Sequence, residues 1–446
     1  MKCLALKLFQ ANGAVRQYYP LIVIFVFGAL SSVFINKYWN YNGGRSDQQH
    51  KHLILHRPFS IVDFDDHGRY DSDQDAHELI IRETEVDVIS DQDNVEALMS
   101  LIAANEMKSM GKGEKALKLI EHGIALAPKN PDLLNGYGEL IETLQDDILM
   151  ADQMYFQALI YSPTHKEALG NRKRTQVIVD DLDWQQLKRI DEKRDKMSSM
   201  PDSNMALRRA KKEAYFQHIY HTVGIEGNRM SLSETRSILE TRMAIGGRSI
   251  AEHNEIIGLE AALKYINATL INRLGSISVN DILEIHKRVM GFVDPLESGV
   301  FRQTQVFVGG HVPPGPSHIG TLMENFSRWL NSETTLRLHP VRYAALAHYK
   351  LVHIHPFTDG NGRTSRLLMN MILMQAGYPP VIIPKGERHK YYRTLEFANK
   401  GDIRPFLRFI AECTERTLNQ FLLSTTTEFS TDIPELDYDN IIINES

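Results

Sequence analysis

His355-Pro356-Phe357-Thr358-Asp359-Gly360-Asn361-Gly362-Arg363-Thr364-Ser365-Arg366 joins two helix-patterned stretches, and its reading decides the fold. Val341 to Val352 is apolar and alanine-rich and predicts a helix. Arg363 to Gln375 predicts a second, with Gly377 past its end and Pro379-Pro380 beyond. Glycines at 360 and 362 let the connecting backbone turn its N–H groups inward, just before a helix whose dipole favours negative charge. The loop is thus an anion cradle. Arg363 and Arg366, three apart, share a helical face and can clamp further phosphate oxygens. Asp359 places a hard carboxylate where Mg²⁺ would bridge phosphates. His355, with an ordinary pKa near 6.5, can take a proton from an incoming hydroxyl. Taken singly, each feature has a bland reading: a histidine before proline ends helices, and Asp-Gly-Asn-Gly is a common turn composition. His353 and His355 also suggest a metal pair, but no third ligand stands at useful spacing.

The whole string resembles the Fic-domain motif, H-x-F-x-x-G-N-G-R-x-x-R, and every fixed position matches. Gly299-Val300-Phe301-Arg302 upstream and Tyr392, Leu395, Ala398, Gly401-Asp402 and Pro405 downstream resemble the same domain. The resemblance implies a protein adenylyltransferase. His355 would be the general base that prepares a Ser, Thr or Tyr hydroxyl to attack the α-phosphate of ATP. Asp359 would hold Mg²⁺, with Mn²⁺ as a substitute. Gly360, Asn361, Gly362, Arg363, Thr364, Ser365 and Arg366 would line the nucleotide phosphates, and Tyr391, Tyr392 and Asn399 the adenosine. Val308-Gly309-Gly310-His311 resembles the flap that aligns the target chain. Thr222-Val223-Gly224-Ile225-Glu226-Gly227-Asn228 resembles the family's inhibitory motif, S/T-x-x-x-E-G/N. A Glu226 carboxylate paired with Arg366 would take the cation that the γ-phosphate needs and hold ATP unproductively. The same carboxylate could position water to remove AMP already attached to a target. The bland alternative is a helix-terminal Glu bonded to whichever donor is near.

Around this string the chain is rich in helical periodicity and short of strand alternation, so an all-α catalytic domain is expected over 202–423. Ser231-Leu232-Ser233-Glu234 is a capping box that starts a helix, and Gly227-Asn228 would end the one running through Tyr215 to Ile225. Thr304 to Val308, the Gly309-Gly310 turn and His311-Val312 predict one short β-hairpin.

Further upstream, Ala103, Ala116, Gly123 and Pro128 recur 35 residues later as Gly138, Ala151, Ala158 and Pro163. Small residues at such positions let paired helices approach closely, and the pattern resembles two tetratricopeptide repeats over 94–164. Two repeats are too few to stand alone and need a further helix, expected within the helical linker 165–201. A partner-binding groove and a rigid spacer are equal readings of this region. Residues 37–93 are polar and acidic and read as a tether. Asp71-Ser72-Asp73-Gln74-Asp75 opens like a calcium loop, but Ala76 and Arg82 stand where glycine and glutamate are needed. Residues 424–446 are Ser/Thr-rich, then acidic, and read as a disordered tail.

Behind a short N-tail, 1–17, residues 18–36 form an uncharged apolar run, from Tyr18 to Ile35, just long enough to cross a bilayer, with Tyr18, Tyr19, Tyr38 and Trp39 suited to the headgroup zone. Ala29 and Ser31 could serve a signal-peptide cleavage site, but the reading adopted is an uncleaved signal anchor. Lys2, Lys7 and Arg16 before the run, against Lys37 and Arg45 after it, leave the N-tail cytosolic and the remainder in the endoplasmic reticulum lumen, a single-pass type II arrangement. Asn267, Asn325 and Asn444 head glycosylation sequons.

With 446 residues, 43% hydrophobic and 24% charged, the chain can bury a sizeable core. A net charge of -6 argues against nucleic acid as the main partner. Cys3 and Cys413 alone exclude a disulfide framework and a thiolate zinc site. The anchor, repeats and catalytic string together resemble the animal endoplasmic-reticulum branch of the family. This implies a lumenal Hsp70 chaperone as target and a homodimer as the assembly. Two other functions fit the residues: transfer of a different phosphate-containing group, and a repeat-based adaptor whose catalytic domain is silent.

Overall fold

Small residues decide how the first helices pair. The structure is a computed structural model that describes residues 91–201 and 203–426. Helices α1 (Asp91–Ser109) and α2 (Gly113–Leu126) form one antiparallel hairpin, and α3 (Pro131–Gln145) and α4 (Ile148–Tyr161) a second. Gly123 lies so close to α1 and α3 that an added Cβ would meet Leu133 at 2.8 Å, and Gly138 in the second hairpin meets Tyr155 in the same way. Ala116, Ala151 and Ala158 are fully buried at the recurring positions. Asn130 caps α3 by accepting from the Asp132 and Leu133 amides, with Pro131 in the first turn where its missing N–H costs nothing.

The 33-residue α5 (Lys166–Ser198) follows. Its first half packs on α4, while Leu187, Ile190 and Met197 join the main hydrophobic core. The segment expected as a linker is therefore partly a core element. The body then runs through α6 (Met205–Ile225), α7 (Leu232–Thr241) and α8 (Ile250–Tyr265), which continues as a π-helical turn, Ile266–Leu270. It proceeds through α9 (Val279–Met290), α10 (Pro316–Leu330), the single turn α11 (Glu333–Leu336), α12 (Pro340–Ile354) and α13 (Asn361–Gln375). A 3₁₀ turn, Lys385–Glu387, leads into α14 (Arg388–Asn399) and α15 (Arg404–Thr426). The capping box at Ser231 and Glu234 is complete. Residues 424–426, read as the start of the tail, belong to α15, and residues 91–93, read as the end of the tether, belong to α1; the rest of the tail and tether and the anchor lie outside the described residues. Among the described residues, no helix is long and apolar enough to cross a membrane.

α13 is the centre of the body: from Arg363 to Gln375 every residue is buried, and α6, α8, α9 and α12 surround it. A helix covered on all sides needs neighbours all round, and here they leave only its N-terminal end open toward the active loop. The hairpins are bolted to this body through charge. Arg404 forks onto Asp402, at 2.8 and 2.9 Å, and pairs with Asp152 of α4, whose other oxygen accepts from Thr175 of α5 at 2.7 Å. The Phe156 ring lies between the Arg404 and Arg172 guanidinium groups, each 4.3 Å from its centroid. Arg408 forks onto Asp183, and Lys193 reaches Glu415, which extends the seam between α5 and α15.

The expected β-hairpin is reduced. Among the described residues no strand forms, and one antiparallel bridge joins Val308 to His311 across Gly309-Gly310, with both N–H···O distances 3.0 Å. Residues 304–307 have no partner strand, because the neighbouring Arg302 guanidinium takes the Thr304 and Pro314 carbonyls and Gln305 the Pro313 carbonyl.

Candidate active site

His355 ends α12 in the left-handed region, φ 50°, a conformation that costs a non-glycine residue roughly 1 kcal/mol. Three bonds hold it there. Its amide donates to Leu351, its carbonyl accepts from Arg302 Nε at 2.7 Å, and its Nδ1 donates to the Val352 carbonyl at 3.2 Å. With the proton on Nδ1, Nε2 carries the lone pair that a general base needs. Burial lowers the pKa of His355 below the ordinary value; the Val352 carbonyl opposes this, while Arg302 and His311 add to it.

Beyond His355 the loop is closed by Asn361. Its side-chain oxygen accepts from the Phe357 amide at 3.0 Å and its Nδ2 donates to the Phe357 carbonyl at 2.8 Å. The Asn361 side chain is therefore spent on the loop itself, and its expected contact with phosphate falls to its backbone. Gly360, φ 76°, starts α13 with no side-chain cap, which leaves the first amides of the helix for an anion. Thr364 and Ser365 are fully buried, with the Ser365 hydroxyl on the Asn361 carbonyl and the Thr364 hydroxyl without a hydrogen-bond partner.

Arg363 and Arg366 do reach the cradle, and both carry unsatisfied donors. Arg363 is almost fully buried, donates to Asp359 at 2.9 Å and lies 3.6 Å from Glu255, yet its Nε and one terminal nitrogen lack hydrogen-bond acceptors. Arg366 donates to the Thr222 carbonyl at 2.9 Å and to Glu226 at 2.5 Å, and its Nε is unpartnered. Buried donors without acceptors are rare, and both of these arginines stand in the first turns of α13. Burial opposes the charge of Arg366, but Glu226 more than offsets it, so its pKa is raised. Glu226 itself caps the C-terminus of α6, and its carboxylate oxygen stands over Gly362, so close that a Cβ on Gly362 would collide with it. The Tyr392 hydroxyl approaches its second oxygen at 3.5 Å.

The three residues expected around adenosine lie on α14, with Asn399 at its end, on the side of the site that Arg366 and His353 border. Tyr391 is buried, its hydroxyl bonded to His348 at 3.0 Å and accepting weakly from Arg366 at 3.4 Å; it supports Arg366 from behind. Asn399 faces His353 at 3.3 Å. Tyr392 is 40% exposed and borders the open site. On the other side His311 pins the flap: its Nε2 donates to the His353 carbonyl at 3.1 Å, and the two rings lie 4.4 Å apart. Asp359 keeps its side chain 69% exposed, shared between the Gly360 amide and Arg363. Among the described residues, no cluster of three acidic, histidine or cysteine side chains could hold a metal. Mg²⁺ commonly takes one or two carboxylates plus phosphate oxygens and water, and Asp359 beside the cradle fits that mode.

Sequence reasoning missed His286, Glu255 and the structural weight of Arg302. His286 stacks flat on Phe357, with ring centroids 3.6 Å apart and planes at 3°, and bonds to the Asp359 carbonyl. Glu255 accepts from Asn228 and faces Arg363. No local pattern marks these positions, because each acts across the fold on a loop distant in sequence.

The Fic/DOC family model matches residues 276–373, which include the loop, all of α12 and most of α13. The chain is 62% identical over 346 residues to the protein adenylyltransferase Fic of Aedes aegypti, covering 78% of this chain and 69% of that one. It is 61% identical over 338 residues to the protein of the same name from Drosophila melanogaster, covering 76% and 68%. The solved structure of Fic-1, residues 134–508, from C. elegans superposes with a TM-score of 0.69 at 44% identity, covering 74% of this chain and 98% of that one. With the motif loop, the two arginines and the Glu226 contact already in place, this chain belongs to the Fic/DOC family and is a protein adenylyltransferase.

Proposed function

We propose that this enzyme transfers AMP from ATP to a hydroxyl of a lumenal Hsp70-type chaperone, that Glu226 restrains the transfer, and that the same site removes AMP from the modified target. The observation that carries the reading is the Glu226–Arg366 pair set over Gly362, at the mouth of an uncapped helix N-terminus. A triphosphate laid on the amides of α13 would bring its terminal phosphate to Arg366, where Glu226 competes for the same guanidinium. With Glu226 in place, ATP is held with its α-phosphate out of line. With Glu226 displaced, His355 Nε2 accepts the proton of the target hydroxyl, the hydroxyl oxygen attacks the α-phosphorus, and pyrophosphate leaves. Mg²⁺ at Asp359 would neutralise charge on the phosphate oxygens. In the reverse sense, the partly exposed Glu226 carboxylate supports orientation of a water toward the phosphorus of an AMP-modified residue. The His311-pinned flap supports alignment of the target chain beside His355.

The recurrence of small residues through the two hairpins supports reading them as tetratricopeptide-like repeats that offer a partner surface. The apolar run at residues 18–36 supports a type II anchor in the endoplasmic reticulum membrane with the catalytic body in the lumen. A homodimer belongs to the same reading.

Transfer of label from α-labelled ATP to a lumenal Hsp70, using the fragment beyond the anchor, tests the proposal. Strong labelling by Glu226→Gly, at least tenfold above the parent, with none by His355→Ala, is the expected outcome. Equal labelling by parent and Glu226→Gly would remove the restraint from the reading. Labelling of other lumenal proteins but not of Hsp70 would remove the chaperone.

A further inference from the structure

His286 lies on α9, 1% exposed, in contact with the loop that carries Asp359. Its two ring nitrogens do different work. Nδ1 accepts the Gly299 N–H at 2.9 Å, and since an amide can only donate, Nδ1 carries no proton. The proton of the neutral ring is therefore on Nε2, which stands 2.9 Å from the Asp359 carbonyl, an obligatory acceptor. The ring face is fixed by its stack on Phe357, and Phe357 is in turn clamped by Asn361. Gly360 presses close: a Cβ there would lie 3.0 Å from His286 Nε2 and 2.9 Å from Met290 Sδ.

The Asp359–Gly360 peptide is thus held from both ends. Its carbonyl accepts from His286, and its N–H donates to the Asp359 carboxylate at 2.6 Å. The plane of this peptide sets where the Asp359 side chain points and where the following amides of α13 face. We propose that His286 is a positioning residue for the nucleotide and metal end of the site. By accepting from Gly299 it is obliged to present its N–H to Asp359, and so orients the Asp359 carboxylate toward metal-bound phosphates. The proposal rests on the reading of Asp359 as the metal ligand.

The two bonds can be separated by substitution. Asn places its side-chain oxygen near the position of Nδ1, so His286→Asn keeps an acceptor for Gly299 and loses the donor to Asp359. Gln places its nitrogen near the position of Nε2, so His286→Gln keeps the donor and loses the acceptor. Affinity of a non-hydrolysable ATP analogue is measured by calorimetry in Mg²⁺ and in EDTA for the parent, both variants and Asp359→Ala, all carrying Glu226→Gly. Thermal unfolding of each sample reports folding. A net neutral hydrogen bond corresponds to roughly two- to tenfold in an equilibrium. His286→Asn should lose about that factor of affinity in Mg²⁺ while matching the parent in EDTA, and its KM for Mg·ATP should rise by a similar factor. His286→Gln should stay within twofold of the parent in both media. Equal behaviour of the Asn and Gln variants, whether both unchanged or both impaired, overturns the proposal, because a residue that only fills the core would not distinguish them. Asp359→Ala that keeps the full Mg²⁺ gain overturns the metal reading of Asp359, and the proposal with it.

Discussion

At the residue scale, the catalytic histidine shows how a side chain's role depends on what its second nitrogen does. His355 gives its Nδ1 proton to a backbone carbonyl one turn back, and that single bond decides that Nε2 faces the reaction as a base. Its pKa lies below the ordinary value near 6.5, first because it is buried and then because Arg302 and His311 disfavour its cation. A general base must be neutral to act, so a lowered pKa extends activity toward acid. The acid limb of kcat/KM for adenylylation by Glu226→Gly should therefore have its midpoint below pH 6.5. A midpoint at or above that value would mean that His355 is not the titrating base. Tyr391 is likewise held by its partners, its buried hydroxyl bonded to His348 and close to the Arg366 guanidinium.

At the element scale, the active loop works because α13 begins where no side chain caps it. Gly360 makes that start, with a positive φ no other residue adopts cheaply, under His286 and Met290. Gly360→Ala adds roughly 1 kcal/mol of backbone strain and about as much again from overpacking. The expected result is a Tm lower by several degrees, together with loss of ATP-analogue binding measured on the still-folded fraction. Retention of full binding would show that the cradle does not depend on this turn. The flap is an element that local pattern overstated. Alternation and a Gly-Gly turn predicted strands, but a strand needs a partner edge, and Arg302 and Gln305 take the carbonyls that would supply one.

At the scale of the whole molecule, the hairpins and the catalytic body are joined by buried charge. Arg404 serves Asp402 and Asp152 together, and both carboxylates are nearly inaccessible to water. Removing one member of such a cluster leaves uncompensated buried charge, which costs about 3 kcal/mol or more. Arg404→Ala should lower Tm clearly, and Arg404→Ala with Asp152→Asn should recover part of the loss; thermal unfolding of the two variants and the parent checks this. No recovery would mean that Arg404 acts mainly through its stack on Phe156.

The sequence by itself determined the helical class, the motif loop and the close-packed hairpins. Each of these is written in short-range terms: glycine and proline punctuation, caps, small residues at repeat spacing, and a contiguous string of chemical groups. Tertiary structure alone decided that Asn361 locks the loop, that Thr364, Ser365 and Tyr391 turn into the core, that α5 is half core and that His286 stands behind Asp359. A motif names which residues gather at a loop, but a buried helix has no outward face to read. Which side of α13 meets the ligand and which meets its neighbours depends on the helices packed around it, and those contacts join residues tens to more than a hundred positions apart.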